Sequence, residues 1–299
     1  GVYLSSDSNN NNFKNIVANS NDQYGIYLTS SSNNQLTNIT ANSNNYDGIR
    51  LWSSSNNNTI TNINIWNCST GGVSACIRVY ESDSNIFENV KINKSDNYGI
   101  EIDSIGSGDN SSYNLFNNVN VSNTASYGVY FETGSGSSHE YNNFTNMRIY
   151  NTTHAVYFDS GDNDNNRFLD LDIDTTSLAG FNIIGGTGNE ILNNTFLNIG
   201  GVEYYIYDGT VDEFDLNSNS LEIYDADYGS IRFLNESIVE EGNNLSSVVQ
   251  IGNNSMFVNS SSYVGFNTTA NITITGLTTP TEPKAVVDWD DDGVFEDCP

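Results

Sequence analysis

Three acids fall at matching places in successive repeats of one short phrase: Asp103 in GIEID, Glu132 in GVYFE and Asp159 in AVYFD. Stacked at the β spacing, such neighbours would bring their carboxylates to about 5 Å, the separation at which paired acids cleave glycosidic bonds. His154, immediately before the third phrase, is close enough in sequence to reach the neighbourhood of Asp159, whereas His139 falls in a turn. The same phrases carry a file of outward residues, Tyr3, Tyr27, Arg50, Arg78, Glu101, Tyr130, Tyr157 and Asn182. Tyrosine faces and charged groups suit sugar stacking and hydrogen bonding. The plainer account is structural: exposed tyrosine favours strands, Arg78 with Glu101 makes an ion pair between coils, and the acids form a solvated face, with a cation site as a third reading of them. Against catalysis, the nine Lys+Arg are thinly spread.

DWDDDG is the sharpest local motif. Asp288, Asp290 and Asp292 with Gly293 give the alternating oxygen donors and sharp-turn glycine of a calcium loop. The twelfth position is Pro299 instead of glutamate, so Glu296 or Asp297 would have to supply the late ligand. Calcium is the expected cofactor here, beside covalent N-linked glycans, and no organic cofactor is expected.

The elements that must position these residues are read from the repeat itself. The phrase recurs as GVYL at Gly1, GIYL at Gly25, GIRL at Gly48, CIRV at Cys76, GIEI at Gly99, GVYF at Gly128, AVYF at Ala155 and GFNI at Gly180. Its spacing of roughly 23 to 29 residues is that of a solenoid. Apolar residues alternate (Ile26 and Leu28, Ile49 and Leu51, Ile100 and Ile102, Val156 and Phe158), which is strand periodicity, and the first slot is always small. Between these phrases lies a second one, apolar-x-Asn-apolar, as in Leu36/Asn38/Ile39 and Phe116/Asn118/Val119. Each repeat therefore holds about three short strands and cannot bury its apolar face alone, so the coils must stack. Asn15, Asn38, Asn62, Asn89, Asn118, Asn146 and Asn193 are expected to form an amide ladder at a turn, facing inward. Facing inward, Asn38 and Asn193 should stay free of sugar.

Composition narrows the function. Nine Lys+Arg against 37 Asp+Glu give a net charge of -28, which repels nucleic acid and anionic lipid. With 36% hydrophobic and 12% aromatic residues the chain can bury a core, and no apolar run is long enough for a membrane helix. About fifty asparagines include sequons at Asn57, Asn67, Asn93, Asn110, Asn120, Asn143, Asn151, Asn235, Asn244, Asn253, Asn259, Asn267 and Asn271. They point to an extracellular or cell-surface location. Cys68 and Cys76 bracket a short Gly/Ser loop and are placed to close a local disulfide or to stay as buried thiols, which leaves Cys298 over. The sequence starts without Met in mid-pattern and reads as a processed chain or a fragment.

The GIYL-type strand, polar Ser/Asn turn and I-x-N-N-x-I segment resemble the parallel β-helix repeat of NosD-like and pectate-lyase-like right-handed β-helix proteins. The resemblance covers about residues 1–206 and implies an all-β, right-handed parallel β-helix solenoid. Residues 207–276 keep short strands in longer, less alike repeats, expected to be irregular terminal coils or a β cap, and are similar to the C-terminal portion of archaeal β-helix surface proteins. Residues 277–299 form a linker or arm holding the acidic loop. The fold hosts enzymes, adhesins and structural proteins alike. The reading the residues favour is a non-catalytic structural or adhesive surface glycoprotein, a stalk or filament subunit whose partners are copies of itself, further domains of a surface protein, or glycans. The rivals are a polysaccharide lyase or glycoside hydrolase, and a carbohydrate-binding module.

Overall fold

The computed structural model describes residues 1–72, 74–104, 110–134, 137–159, 163–207, 211–218, 221–225, 227–233, 238–243, 245–253, 255–275, 286–287 and 296–297. Almost every element is a strand; a four-residue helix, Leu245–Val248, and a 3-10 turn, Val264–Phe266, are the exceptions among the described residues.

The first phrase builds one continuous parallel face. Val2–Leu4, Ile26–Thr29, Ile49–Trp52, Ala75–Tyr80, Tyr98–Ser104 and Tyr127–Thr133 each pair with the counterpart in the next coil. The face continues through the ends of the long strands Asn143–Phe158 and Arg167–Ile183 into Val202–Tyr207 and Leu221–Asp225. The second phrase stacks in the same way, through Asn12–Val17, Gln35–Thr40, Thr59–Cys68, Ile86–Ser95 and Leu115–Thr124. Strand alternation sends Ile26, Leu28, Ile49, Leu51, Ile100, Ile102, Val156 and Phe158 wholly inside. Phe87, Phe116, Phe144 and Phe168 stack one above another with centroids 4.7, 4.9 and 5.2 Å apart. The small slot that opens each phrase has a steric cause. A Cβ on Gly128 would stand 2.5 Å from Ile149 Cγ2 and 2.6 Å from the Ala155 carbonyl of the next coil.

The ladder at the second phrase exists, but its direction differs from expectation. Asn38 Nδ2 donates to Asn15 Oδ1 (3.0 Å), Asn62 to Asn38 (3.1 Å), Asn89 to Asn62 (3.2 Å) and Asn118 to Asn89 (2.7 Å). Asn146 donates to Asn117 and Asn193 to Asp170. These residues are exposed, not inward, because each adopts a left-handed conformation (φ 52° to 59°) that breaks the strand alternation and turns the side chain out. Asparagine tolerates that conformation better than other residues bearing a Cβ.

A second ladder is the buried one. Asn34, Asn58, Asn85, Asn114, Asn142, Asn166 and Asn189 have no exposed surface, and each of the first six passes its backbone N–H and its Nδ2 to the Oδ1 of the next. The second amide hydrogen of Asn58, Asn114, Asn142 and Asn166 reaches a backbone carbonyl. Stacking lets an interior turn keep its polar groups satisfied, which burial otherwise penalises.

Cys68 and Cys76 are joined as a disulfide across eight residues. Parallel stacking runs past residue 206 as far as Leu221–Asp225. There the pairing turns antiparallel, with Gly229–Phe233 against Leu221–Asp225 and Ala270–Ile274 against Gly229–Phe233. An antiparallel strand thus occupies the edge that the last parallel strand presents.

Candidate functional site

Register places the predicted file as drawn from the sequence: Tyr3, Tyr27, Arg50, Arg78, Glu101, Tyr130, Tyr157 and Asn182 lie side by side in consecutive coils, followed by Tyr205 and Glu222. Asp103 and Glu132 are likewise in register.

The middle of this file is closed, not open. Arg78 Nε lies 2.9 Å from Asp103 Oδ2 and 3.2 Å from Glu101 Oε2, and its Nη2 also meets Asp103. Glu101 and Asp103 are fully buried and Glu132 is half-buried; a carboxylate oxygen from each of the three lies within 4.8 Å of the others. Burial pushes the Glu101 carboxyl well above its ordinary range, against the pull of Arg78. Burial also raises Asp103, to about 6, with Arg78 opposing. For Arg78 itself burial acts downward, but Glu101 and Asp103 outweigh it and hold the guanidinium charged. Beside it Arg50 lies 3.5 Å from Asp47, a fully buried acid that also accepts the Ala75 N–H at 3.0 Å. The Asp47–Gly48 pair that puts this acid at the mouth of a phrase was not singled out in the sequence.

Asp159 does not join the carboxylate group; it is exposed, and Tyr130 Oη donates to it at 3.2 Å. His154 is turned between aromatic rings, edge-on to Tyr127 (5.4 Å) and Tyr157 (5.2 Å), and makes no hydrogen bond to Asp159 among the described residues. Burial lowers its pKa to about 4. His139 is wholly buried: Nε2 donates to the Glu132 carbonyl at 2.9 Å, and Nδ1 accepts the Ser111 N–H at 3.2 Å. It continues a column of Ser31, Ser55, Ser82 and Ser111, and burial likewise lowers it to about 4. Neither histidine is placed to relay a proton to the acids.

What faces solvent here is aromatic. Tyr3 stacks on Tyr27 at 5.2 Å, Tyr98 on Tyr127 at 5.3 Å, and Tyr127 on Tyr157 at 4.4 Å. Trp52 lies flat on Tyr80 at 3.6 Å, with the Arg50 guanidinium 4.0 Å over the Trp52 ring. The row of Tyr24, Tyr98 and Tyr127 was missed, although each stands directly before the glycine of its phrase and is readable as a Tyr-Gly repeat.

Sequons differ in accessibility. Asn57, Asn151, Asn253, Asn267 and Asn271 are exposed, and Asn67, Asn93, Asn110 and Asn259 are half-buried. Asn120 and Asn143 are half-buried with their amide oxygens wholly covered. Asn38 and Asn193, expected to be shielded, are exposed for the reason given above. Asn235 and Asn244 lie outside the described residues, as do Asp288, Asp290, Asp292 and Cys298. Glu296 is in a two-residue strand, Glu296–Asp297, paired antiparallel with Val286–Val287.

Among solved structures the chain is similar to the periplasmic alginate epimerase AlgG (13% identity, 60% of this chain and 48% of that one, TM-score 0.42). It is also similar to the catalytic domain of a GH87 alpha-1,3-glucanase (15% identity, 64% and 46%, TM-score 0.37) and to an alginate lyase from Paenibacillus sp. str. FPU-7 (12% identity, 62% and 80%, TM-score 0.27). The chain spans about half the length of the first two. At these scores no residue role passes from those proteins to this one. None of the curated proteins matches the sequence. The model for a right handed beta helix region matches residues 1–147, the segment in which phrase, ladder and register repeat most regularly. That segment carries a right-handed β-helix region, and the chain folds as a parallel β-solenoid.

Proposed function

We propose that this β-helix is a non-catalytic structural or adhesive element of an extracellular surface, part of a stalk or surface layer, and that it holds glycan along its aromatic file. One observation carries the reading. On the face where a hydrolase would keep free acids and a base, Glu101 and Asp103 are buried against Arg78 and both histidines are sequestered, while the stacked rings of Tyr3, Tyr27, Tyr127 and Tyr157 remain at the surface. Stacked rings on a rigid rod offer sugars a pre-formed surface at little cost in ordering.

Affinity electrophoresis through gels holding polygalacturonate or a neutral β-glucan tests this. The parent chain should be retarded in at least one gel, and Tyr27→Ala with Tyr157→Ala should weaken retention about thirtyfold, since each ring contributes on the order of 1 kcal/mol. Unchanged mobility of parent and variant in both gels would sink the glycan-holding reading.

The carboxylate group of Glu101, Asp103 and Glu132 favours the second reading, a polysaccharide hydrolase or lyase. Release of reducing ends or unsaturated products that vanishes in Glu132→Gln would put that reading first.

A further inference from the structure

The strand that closes the solenoid has an open edge of its own. Ala270–Ile274 pairs with Gly229–Phe233 along one side, and among the described residues no strand pairs with its other side. Thr275 N–H donates to the Tyr228 carbonyl at 3.0 Å. Hydrogen bonding alternates along an antiparallel pair, so Thr273 and Asn271 direct their backbone groups to the same partner, and Ala270, Ile272 and Ile274 turn theirs to the free edge. Ile272 stands directly opposite Ile231 and therefore on the same face of the sheet, yet Ile231 is 2% exposed and Ile272 57%. Ile274, on that face as well, is 36% exposed. An unpaired edge carrying apolar side chains is a template for another strand.

We infer that this edge pairs with the same edge of a second copy of the chain, antiparallel about a two-fold axis at Ile272. Charge selects the occupant. Each copy carries a net charge of -28, so two copies repel wherever their acids face each other. Charged residues make up 15% of the chain, yet residues 242–281 contain none, nor a histidine, and Ala270–Ile274 lies inside that run. Such a surface gives a cationic partner nothing to grip and lets two acidic copies meet. The edge is also self-complementary. Two-fold pairing sets Ile272 beside the partner's Ile272 and Ala270 beside the partner's Ile274, the pairs whose backbone groups are turned outward. The apolar face then runs unbroken from the core of one cap into that of the other. Asn271 and Thr273 alternate to the opposite face, so a sugar on the Asn271 sequon stands clear of the isoleucines. Two rods are thereby joined tail to tail, a contact that does not depend on the chain holding glycan. A five-residue strand makes a small interface, and the dimer is correspondingly weak.

Sedimentation velocity of the full chain tests this, at about 100 µM, which populates any dimer with a Kd of that order or tighter. The parent should form dimers, and more of them at high salt, which screens the repulsion between the two rods. Ile272→Lys should weaken the dimer at least about a hundredfold, because it removes a covered isoleucine from each copy and sets like charges opposite one another. Its Tm should match that of the parent at a dilution where both are monomers. Ile274→Lys takes its place if Ile272→Lys does not fold. Val17→Lys, which alters an exposed apolar residue at the other end of the rod, should leave the dimer intact. A parent that stays monomeric in both salts would overturn the inference, as would a dimer that Ile272→Lys leaves unchanged. Loss of the dimer in Val17→Lys would assign the contact to the other end, and a dimer that dissociates as salt rises would assign it to charge attraction; either result overturns the pairing at Ile272.

Discussion

Asn142 Oδ1 receives two hydrogen bonds from Asn114, the backbone N–H at 3.0 Å and Nδ2 at 3.1 Å, and both residues are fully buried. Asn114 in turn accepts the same pair from Asn85, so removing one amide strands groups in the coils on either side. Asn114→Ala should destabilise by about 3 kcal/mol or more, since each buried group left unpaired costs about 1–3 kcal/mol. The exposed ladder predicts the opposite: Asn118→Gly keeps the left-handed backbone (φ 54°) and should change stability by less than about 1 kcal/mol. Thermal melts of the two variants compare the ladders directly.

The phenylalanine column should behave as one packed unit. Phe116 is wholly buried between Phe87 and Phe144, and Phe116→Ala should cost about 3–5 kcal/mol in chemical denaturation. Phe116→Leu should cost much less.

The disulfide closes a short loop, with a sequence separation of eight. Short loops stabilise less than long ones, and Cys68→Ala with Cys76→Ala should lower stability by about 2 kcal/mol. The same loss should follow mild reduction of the parent.

His154 gives stability a pH dependence with a definite sign. Its folded pKa is lowered by burial from 6.5 to about 4, so the unfolded chain binds its proton first as pH falls. The contribution of neutral His154 is complete above 6.5 and is lost between 6.5 and about 4. Tm of the parent minus Tm of His154→Phe should therefore decrease on going from pH 7 to pH 4.5. A difference that stays flat would show that His154 titrates normally.

Glycopeptide mapping of the natural protein should find sugar at Asn57 and Asn151, which are exposed. Asn38 and Asn193 now belong with that pair.

Phrase, period and small first slot were legible because each is a translation-repeated constraint: the same alternation recurs in every coil and a Cβ at Gly128 would collide with the next coil. The register of the file followed from that alternation alone, but not its exposure, since Glu101 and Tyr130 within it are buried. Which way Asn38 faces did not, because a left-handed residue resets the alternation and nothing in apolar-x-Asn-apolar announces its φ of 58°. The buried ladder left a readable trace, an asparagine two places before each Leu36-, Phe116- or Phe168-type core residue, masked by the asparagines around it. The closure of the acid group was not legible either, since it depends on Arg78 reaching sideways across a coil to Glu101 and Asp103, a contact that register alone does not give.

Because Asn34, Asn58 and Asn85 each meet their upper neighbour in the same way, a coil is interchangeable with the coil beside it. Excising residues 35–58 would set Asn34 directly under Asn85 and bring Gln35's place to Thr59, one strand start replacing another. The length of the rod is then a quantity evolution can adjust in whole steps, shortening or lengthening the reach of whatever it carries while leaving every remaining contact of the same kind.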